Sequence, residues 1–151
     1  MIEGVKVKEM NKYCDDRGFF AEILRIDEGL VDNIAQASIS MSYPGVIKAF
    51  HLHEHQEDVW FFPVGQAQVV LHDLRKASST NGETNVFYMG EDNPIVLVIP
   101  KGVAHGYRVL GMKPAMIVYF TSNVYDRESP DEQRIRWNDP KIDFDWKKKH
   151  R

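Results

Sequence analysis

The chain is almost without cysteine, since Cys14 is the only one among its 151 residues. An intramolecular disulfide is therefore impossible, and a reducing compartment such as the cytoplasm is expected. Long apolar runs are missing too, because no stretch approaches the ~20 residues that a transmembrane helix needs. The first residues also lack the basic and then apolar pattern of a signal peptide. These absences predict a cytoplasmic protein with no membrane partner.

An excess of charge of one sign is missing as well. Lys and Arg number 19 against 22 Asp and Glu, and the net charge of -3 gives no reason to expect a nucleic acid as partner. The basic run at 147–151 is predicted to be a short solvated tail. Residues 1–146 contain no repeat, linker or shift of composition, and they fit one domain that can bury its own core.

What the chain has in quantity is short β-type segments separated by turn residues. Only residues 27–33 have the composition for a turn or two of helix, and the polar segment after residue 125 is expected to wrap over the surface. Many short strands with almost no helix predict an all-β sandwich or barrel. The predicted strands are 5–8, 19–24, 36–42, 46–53, 59–62, 66–75, 86–89, 95–99 and 115–121.

Histidines are concentrated at two points, and the first is a predicted strand. His51, His53 and His55 alternate there, so their side chains are expected on one face, together with Ile47 and Ala49. An exposed position suits His55, whereas His51 follows residues that have a buried character. We therefore predict that His51 faces an interior site.

The second point follows the apolar strand at 95–99. Pro100 ends that strand, Gly102 permits a tight turn, and His105 comes three residues later. This arrangement predicts that His105 lies at the rim of a pocket.

Taken together, these two histidine-containing segments resemble the two motifs of the cupin superfamily. The second motif has the form Pro100-x-Gly102-x-x-His105. The resemblance implies a single-domain, cupin-type jelly-roll β-barrel. The first motif is spaced over Gly45, His51-x-His53, Asp58 and Gly65, with Asp58 where a glutamate is usual.

Further motifs resemble the dTDP-4-dehydrorhamnose 3,5-epimerase family over about residues 13 to 146. The resemblance implies a homodimeric epimerase or isomerase that acts on a dTDP-4-keto-6-deoxyhexose and needs no cofactor. Its motifs correspond to residues 15–22, 45–51, 73–75 with Ser78, 99–107, 119–125 and 137–140.

The resemblance assigns His51 as the base that removes the proton beside the sugar ketone, and Tyr119 as the group that returns a proton from the opposite face. The chemistry suits these residue types, because the ketone acidifies the neighbouring C–H bond and an imidazole accepts protons near neutral pH. The alternative for Tyr119 is a tyrosine of the core whose hydroxyl finds a backbone partner.

Other positions correspond to substrate-binding residues of the family. The resemblance places Arg17, Gln36 and Lys48 at the nucleotide and its diphosphate. For Arg17 and Lys48 the alternatives are a surface turn and the edge of a sheet. The remaining correspondences are Phe20 and Glu22 around the nucleobase, often across a dimer, Tyr125 near the nucleotide end, and His53 and His105 in the active site.

Three departures from the family pattern leave alternatives open. The C-terminal aspartate that pairs with the histidine base is missing, Asp58 stands where a lysine stabilises the enolate, and His53 replaces a glutamine. His51, His53, Asp58 or Glu57, and His105 would also make a ligand set for one divalent transition metal. The alternatives are therefore a metal-dependent cupin enzyme and a sugar-binding cupin that has lost turnover.

Overall fold

A computed structural model describes residues 1–147, and the predicted basic tail beyond Lys147 lies outside the described residues. One 3₁₀ turn, Ile26–Glu28, is the helical element of this part. No helix in residues 1–147 is long and apolar enough to cross a membrane. The strands are β1 Lys6–Glu9, β2 Tyr13–Asp15, β3 Gly18–Phe20, β4 Gln36–Ser42, β5 Ile47–Leu52, β6 Asp58–Val64, β7 Gln66–Asp73, β8 Thr84–Gly90, β9 Ile95–Ile99, β10 Val103–Leu110, β11 Ala115–Thr121 and β12 Gln133–Arg134.

Ten of these strands form two antiparallel five-stranded sheets. The first sheet has the order β1-β9-β6-β11-β4, the second has the order β12-β5-β10-β7-β8, and β2 and β3 form a separate hairpin. This is the jelly-roll architecture that the resemblance implies. Within residues 1–147 the two sheets stay separate in their strand pairing, so they do not close into a continuous barrel.

The main core lies between the two sheets, and a smaller apolar layer covers the outer face of each. Trp60 and Phe62 of β6 point into the main core, whereas Val59 and Phe61 of the same strand point outward and are covered by residues 23–31. On the second sheet, Trp146 and other residues of the C-terminal segment cover the outer face. Central strands are thus buried on both sides, which explains their uninterrupted apolar sequence.

The structure adds one central strand that the sequence did not predict. β10 lies between β5 and β7, yet its sequence contains His105, Gly106 and Arg108, which weaken the β pattern. The predicted strand at 19–24 is also different, because only Gly18–Phe20 is paired, with Tyr13–Asp15. The residues that follow pack on the outer face of the first sheet instead.

The family motif at residues 73–78 forms a structural clamp. Asp73 is fully buried and accepts hydrogen bonds from the side chains of Arg75, Ser78 and Thr80. Burial alone would raise the pKa of Asp73, but these hydrogen bonds outweigh it and hold the pKa well below its usual range. Since Arg75 also donates to the carbonyl of Glu3, the clamp ties the N-terminus to the β7–β8 loop.

Candidate active site

One large cavity lies between the two sheets and has a volume of about 600 Å³. This volume lies within the usual range for small-molecule sites. The lining is more polar than the interior of a core, with histidines, carboxylates and amides beside a few aromatic rings. Its residues are Gln36, Ser40, Lys48, His51, His53, His55, Gln56, Asp58, Trp60, His105, Tyr107, Ile117, Tyr119, Thr121, Asn123, Val124, Tyr125, Asp126, Ser129, Asp131, Glu132 and Arg134.

Two of the histidines are cross-strand neighbours in the second sheet. His51 of β5 lies opposite His105 of β10, and their ring centroids are 6.3 Å apart. β5 and β10 lie very close together at this point. A Cβ atom added at Gly106 would lie only 2.3 Å from the Cβ atom of Ala49. His105 is 2% exposed and is therefore an interior residue, which corrects the predicted position at the pocket rim.

The facing of β5 differs from the prediction of strict alternation. His51 and His53 line the cavity with Lys48, while Ile47 and Ala49 pack on the outer face of the sheet. The reason is a bulge, in which the two-residue step from His105 to Tyr107 on β10 faces the three-residue step from His51 to Lys48. The extra residue on β5 reverses the side of the sheet to which the side chains before it point. It places a lysine in the cavity beside the histidines.

Asp58 begins β6 and faces two of the histidines from the opposite sheet. Its carboxylate accepts hydrogen bonds from Gln56 Nε2 at 2.7 Å and from Trp60 Nε1 at 3.1 Å. The same two oxygens also face the histidines, with Oδ1 at 3.9 Å from His53 Nε2 and Oδ2 at 3.6 Å from His105 Nε2. Glu57 instead bonds Ser122 through its backbone and does not line the cavity. Of the two predicted carboxylates, Asp58 is therefore the one at the site.

The three residues His53, Asp58 and His105 lie close enough together that they could hold one metal ion. One ligand atom from each lies within 4.8 Å of the others, and all three residues are buried. Nδ1 of His53 donates to the carbonyl of Asp131, and Nδ1 of His105 donates to that of Val103. Both Nε2 lone pairs are thus free to coordinate. His51 lies outside this group, which corrects the predicted four-residue ligand set.

Burial in the cavity favours the neutral forms of His51 and His105. Burial lowers the pKa of His105 to about 4, against the opposing effect of Asp58. Burial also lowers the pKa of His51, and the negative charge of Glu132 partly offsets it. A neutral imidazole has the free lone pair that a general base needs.

The C-terminal segment supplies residues that sequence reasoning missed. Asp131 accepts hydrogen bonds from the backbone N–H groups of Glu54 and His55, and its carbonyl receives His53 Nδ1. The next residue, Glu132, places Oε2 at 3.9 Å from His51 Nδ1. A pairing of only two residues, β12 on β5, brings this segment to the site, and so short a strand has no detectable β pattern.

The first sheet contributes Tyr119 and the polar face of β4. Tyr119 pairs with Trp60 of β6 and Ser38 of β4, and its hydroxyl has no hydrogen-bond partner in residues 1–147. Gln36 lines the cavity and accepts the backbone N–H of Tyr125 at 2.9 Å. Lys48 donates to Ser40 at 3.0 Å. Gln36, Lys48, Tyr119 and Tyr125 are thus all brought to one cavity.

Similarity to known proteins identifies the family of this chain. The model of the dTDP-4-dehydrorhamnose 3,5-epimerase family matches residues 1–151. The chain belongs to this family. A spore coat polysaccharide biosynthesis protein of Bacillus subtilis, SpsL, is 64% identical over 146 residues and covers 97% of each chain.

Solved structures of the family share the fold. A dTDP sugar isomerase from Desulfovibrio desulfuricans is 27% identical, with a TM-score of 0.89 over 96% of this chain and 92% of that one. A dTDP-6-deoxy-D-glucose-3,5-epimerase from Legionella pneumophila, in complex with dTDP-4-keto-L-rhamnose, is 30% identical, with a TM-score of 0.85 over 96% of this chain and 79% of that one. The predicted resemblance to the epimerase family is thereby confirmed.

Three residues that the epimerase family resemblance assigns to the nucleotide lie outside this chain's own cavity. Arg17 is exposed at the tip of the β2–β3 hairpin and pairs with Asp15. Phe20 is 63% exposed, and Glu22 is half-buried beside Arg25. The geometry of one chain therefore does not bring Arg17, Phe20 and Glu22 to the site.

Proposed function

We propose that the chain epimerises a dTDP-linked 4-keto-6-deoxyhexose by removing and returning a proton on a carbon beside the ketone. The observation that carries this proposal is the position of His51 and Tyr119 on different sheets around one cavity. Inversion needs one group on each face of the reacting carbon. The substrate class is that of the Legionella relative, whose structure holds dTDP-4-keto-L-rhamnose.

Other lining residues have binding roles in this proposal. The amine of Lys48 binds the diphosphate, and Gln36 and Tyr125 bind nearer the nucleotide. His105 Nε2 is buried without a hydrogen-bond partner among the described residues. Since its Nδ1–H already donates to Val103, His105 accepts a hydrogen bond from a sugar hydroxyl, and His53 lies beside it. This reaction requires no cofactor, and we propose none.

A second candidate function is a metal-dependent isomerisation of the same class of sugar. The observation in its favour is the buried cluster of His53, Asp58 and His105. A divalent metal held by these side chains would polarise the ketone oxygen, a task for which the cavity provides no lysine at position 58. His51 keeps its place as the proton acceptor in either case.

The deciding experiment follows deuterium from heavy water into dTDP-4-keto-6-deoxyglucose, with and without a chelator. We expect uptake at C3, C5 or both that the chelator leaves unchanged. Uptake that is lost on chelation and restored by a divalent metal would replace the first candidate by the second. Nucleotide-sugar binding without any uptake would contradict both and support a sugar-binding protein.

We also propose that the chain works as a homodimer in the cytoplasm, where its single Cys14 suits a reducing environment. The partner's hairpin and the residues just after it then bring Arg17, Phe20 and Glu22 to this cavity. In support, β4 is the last strand of its sheet, and its outward residues Ile39 and Met41 are 64% and 53% exposed. An unpaired edge strand with apolar side chains favours pairing with another chain.

Light scattering on the purified protein tests the dimer. We expect twice the chain mass of 17.5 kDa for the wild type and a shift toward monomer for Ile39→Glu. Val86→Glu is the matched control, because Val86 is also an exposed apolar residue of an edge strand but belongs to β8 of the other sheet. A monomeric wild type at micromolar concentration would refute the dimer.

We further propose that the product serves surface polysaccharide synthesis, the process named for the SpsL relative.

A further inference from the structure

Three of the histidines that line the cavity, His51, His53 and His105, do not share one kind of partner for Nδ1. Nδ1 of His53 and Nδ1 of His105 donate to backbone carbonyls, which directs both Nε2 atoms toward Asp58. His51 Nδ1 instead faces a carboxylate, Glu132 Oε2, at 3.9 Å. Among the three, His51 alone has a negative charge at Nδ1 in the described part of the chain.

The backbone next to Glu132 is held by pairing with β5. β12 pairs with β5, so that Arg134 lies opposite His51, and Ile135 exchanges two backbone hydrogen bonds with Phe50, of 2.7 and 2.9 Å. Glu132 immediately precedes β12, which fixes its backbone beside the strand that carries His51.

The carboxylate of Glu132 is also oriented. Its Oε1 accepts a hydrogen bond from Arg134 Nε at 2.6 Å, which leaves Oε2 directed to His51. The Glu132 side chain is only 19% exposed, so water screens its charge less than it would at the surface. A carboxylate that is anchored through one oxygen is well suited to hold an imidazole through the other.

We propose that Glu132 is the positioning residue of His51, holding the proton on Nδ1 so that the Nε2 lone pair faces the substrate. The assignment rests on the proposed role of His51 as the base. When Nε2 takes the substrate proton, His51 becomes an imidazolium, and the charge of Glu132 stabilises it. The 3.9 Å separation shortens to a hydrogen bond at that stage, as catalytic contacts do when substrate is bound.

The first test does not depend on turnover. Nitrogen-15 NMR of the histidine rings reports which ring nitrogen carries the proton, and His51→Asn identifies the His51 signals. We expect His51 to carry its proton on Nδ1 in the wild type and to become a mixture of tautomers in Glu132→Ala. The same tautomer in both proteins would overturn the proposal.

The second test follows deuterium uptake in Glu132→Ala, Glu132→Asp and the control Glu54→Ala. Glu54 is an exposed acid of the same region that bonds Gln133 and has no contact with His51. We expect kcat to fall on the order of 10²-fold in Glu132→Ala with KM within about threefold, and to fall less in Glu132→Asp. Added formate should restore at least about tenfold of the lost kcat in Glu132→Ala, whereas Glu54→Ala stays like the wild type.

The outcomes separate this inference from the proposed function. A wild type that takes up no deuterium but shows the expected change of tautomer refutes the epimerase and leaves the positioning role standing. An active wild type whose Glu132→Ala variant loses only substrate affinity, or is not rescued by formate, refutes the positioning role. Glu132 would then be a ligand of the sugar.

Discussion

Replacing His51 with alanine is expected to abolish deuterium uptake into dTDP-4-keto-6-deoxyglucose, with a loss of about 10⁴-fold. His51 is the cavity histidine whose Nδ1 faces a carboxylate, that of Glu132, and burial lowers its pKa so that the neutral form is favoured. His53 and His105, in contrast, use Nδ1 to donate to backbone carbonyls. Deuterium exchange, read by proton NMR at C3 and C5, measures the step directly.

Two controls keep this result specific. His51→Ala should still bind dTDP within about threefold of the wild type, because His51 faces the sugar rather than the nucleotide in the proposed arrangement. His72→Asn should retain uptake, because His72 does not line the cavity and its ring is bonded to Thr84 of β8. Substantial exchange in His51→Ala would show that a different group removes the proton.

Much of the fold could be predicted from the sequence because the strands of the two sheets have strong local signals. The uninterrupted apolar runs of β6 and β9 result from burial on both faces, and the alternation along β4 results from its position between the cavity and the open outer side. β10 was missed for a physical reason. The position of Gly106 requires a glycine because Ala49 is so close, and this weakens the β pattern of the strand that carries His105.

The candidate site was predictable where the chemistry lies within one short motif. His51, His53, Asp58 and His105 all meet around the cavity. The facing of Lys48, however, depends on a bulge that is defined only by pairing with β10. Asp131 and Glu132 reach the site because a polar segment pairs with a strand far away in the sequence. That pairing cannot be predicted from the local sequence.

The predicted metal ligands also show that the spacing of a motif does not fix the geometry of a site. The spacing of the motif suggested four ligands, whereas the structure groups only His53, Asp58 and His105. The bulge at Ala49 and the contact with Glu132 set His51 apart from them. Because His51 has its own carboxylate, a metal and a base can coexist in this cavity without sharing a residue.

The second large effect is expected for Tyr119→Phe, which should separate inversion from exchange. Without the hydroxyl, no group on the far face returns a proton, so inversion should fall on the order of 10²-fold or more. His51 can still remove a proton and return deuterium to the same face. Deuterium should therefore enter substrate whose configuration is unchanged, which mass and coupling constants measured in one NMR sample can show.

Tyr88→Phe is the matched control, because Tyr88 is an exposed tyrosine of β8 that does not line the cavity. It should leave both exchange and inversion unchanged. Equal losses of exchange and inversion in Tyr119→Phe would mean that the hydroxyl stabilises the enolate rather than protonating carbon. No loss of either would make Tyr119 a tyrosine of the core. The unpartnered hydroxyl of Tyr119 favours the expected loss of inversion without loss of exchange. A hydroxyl that served only the core would have found a hydrogen-bond partner there.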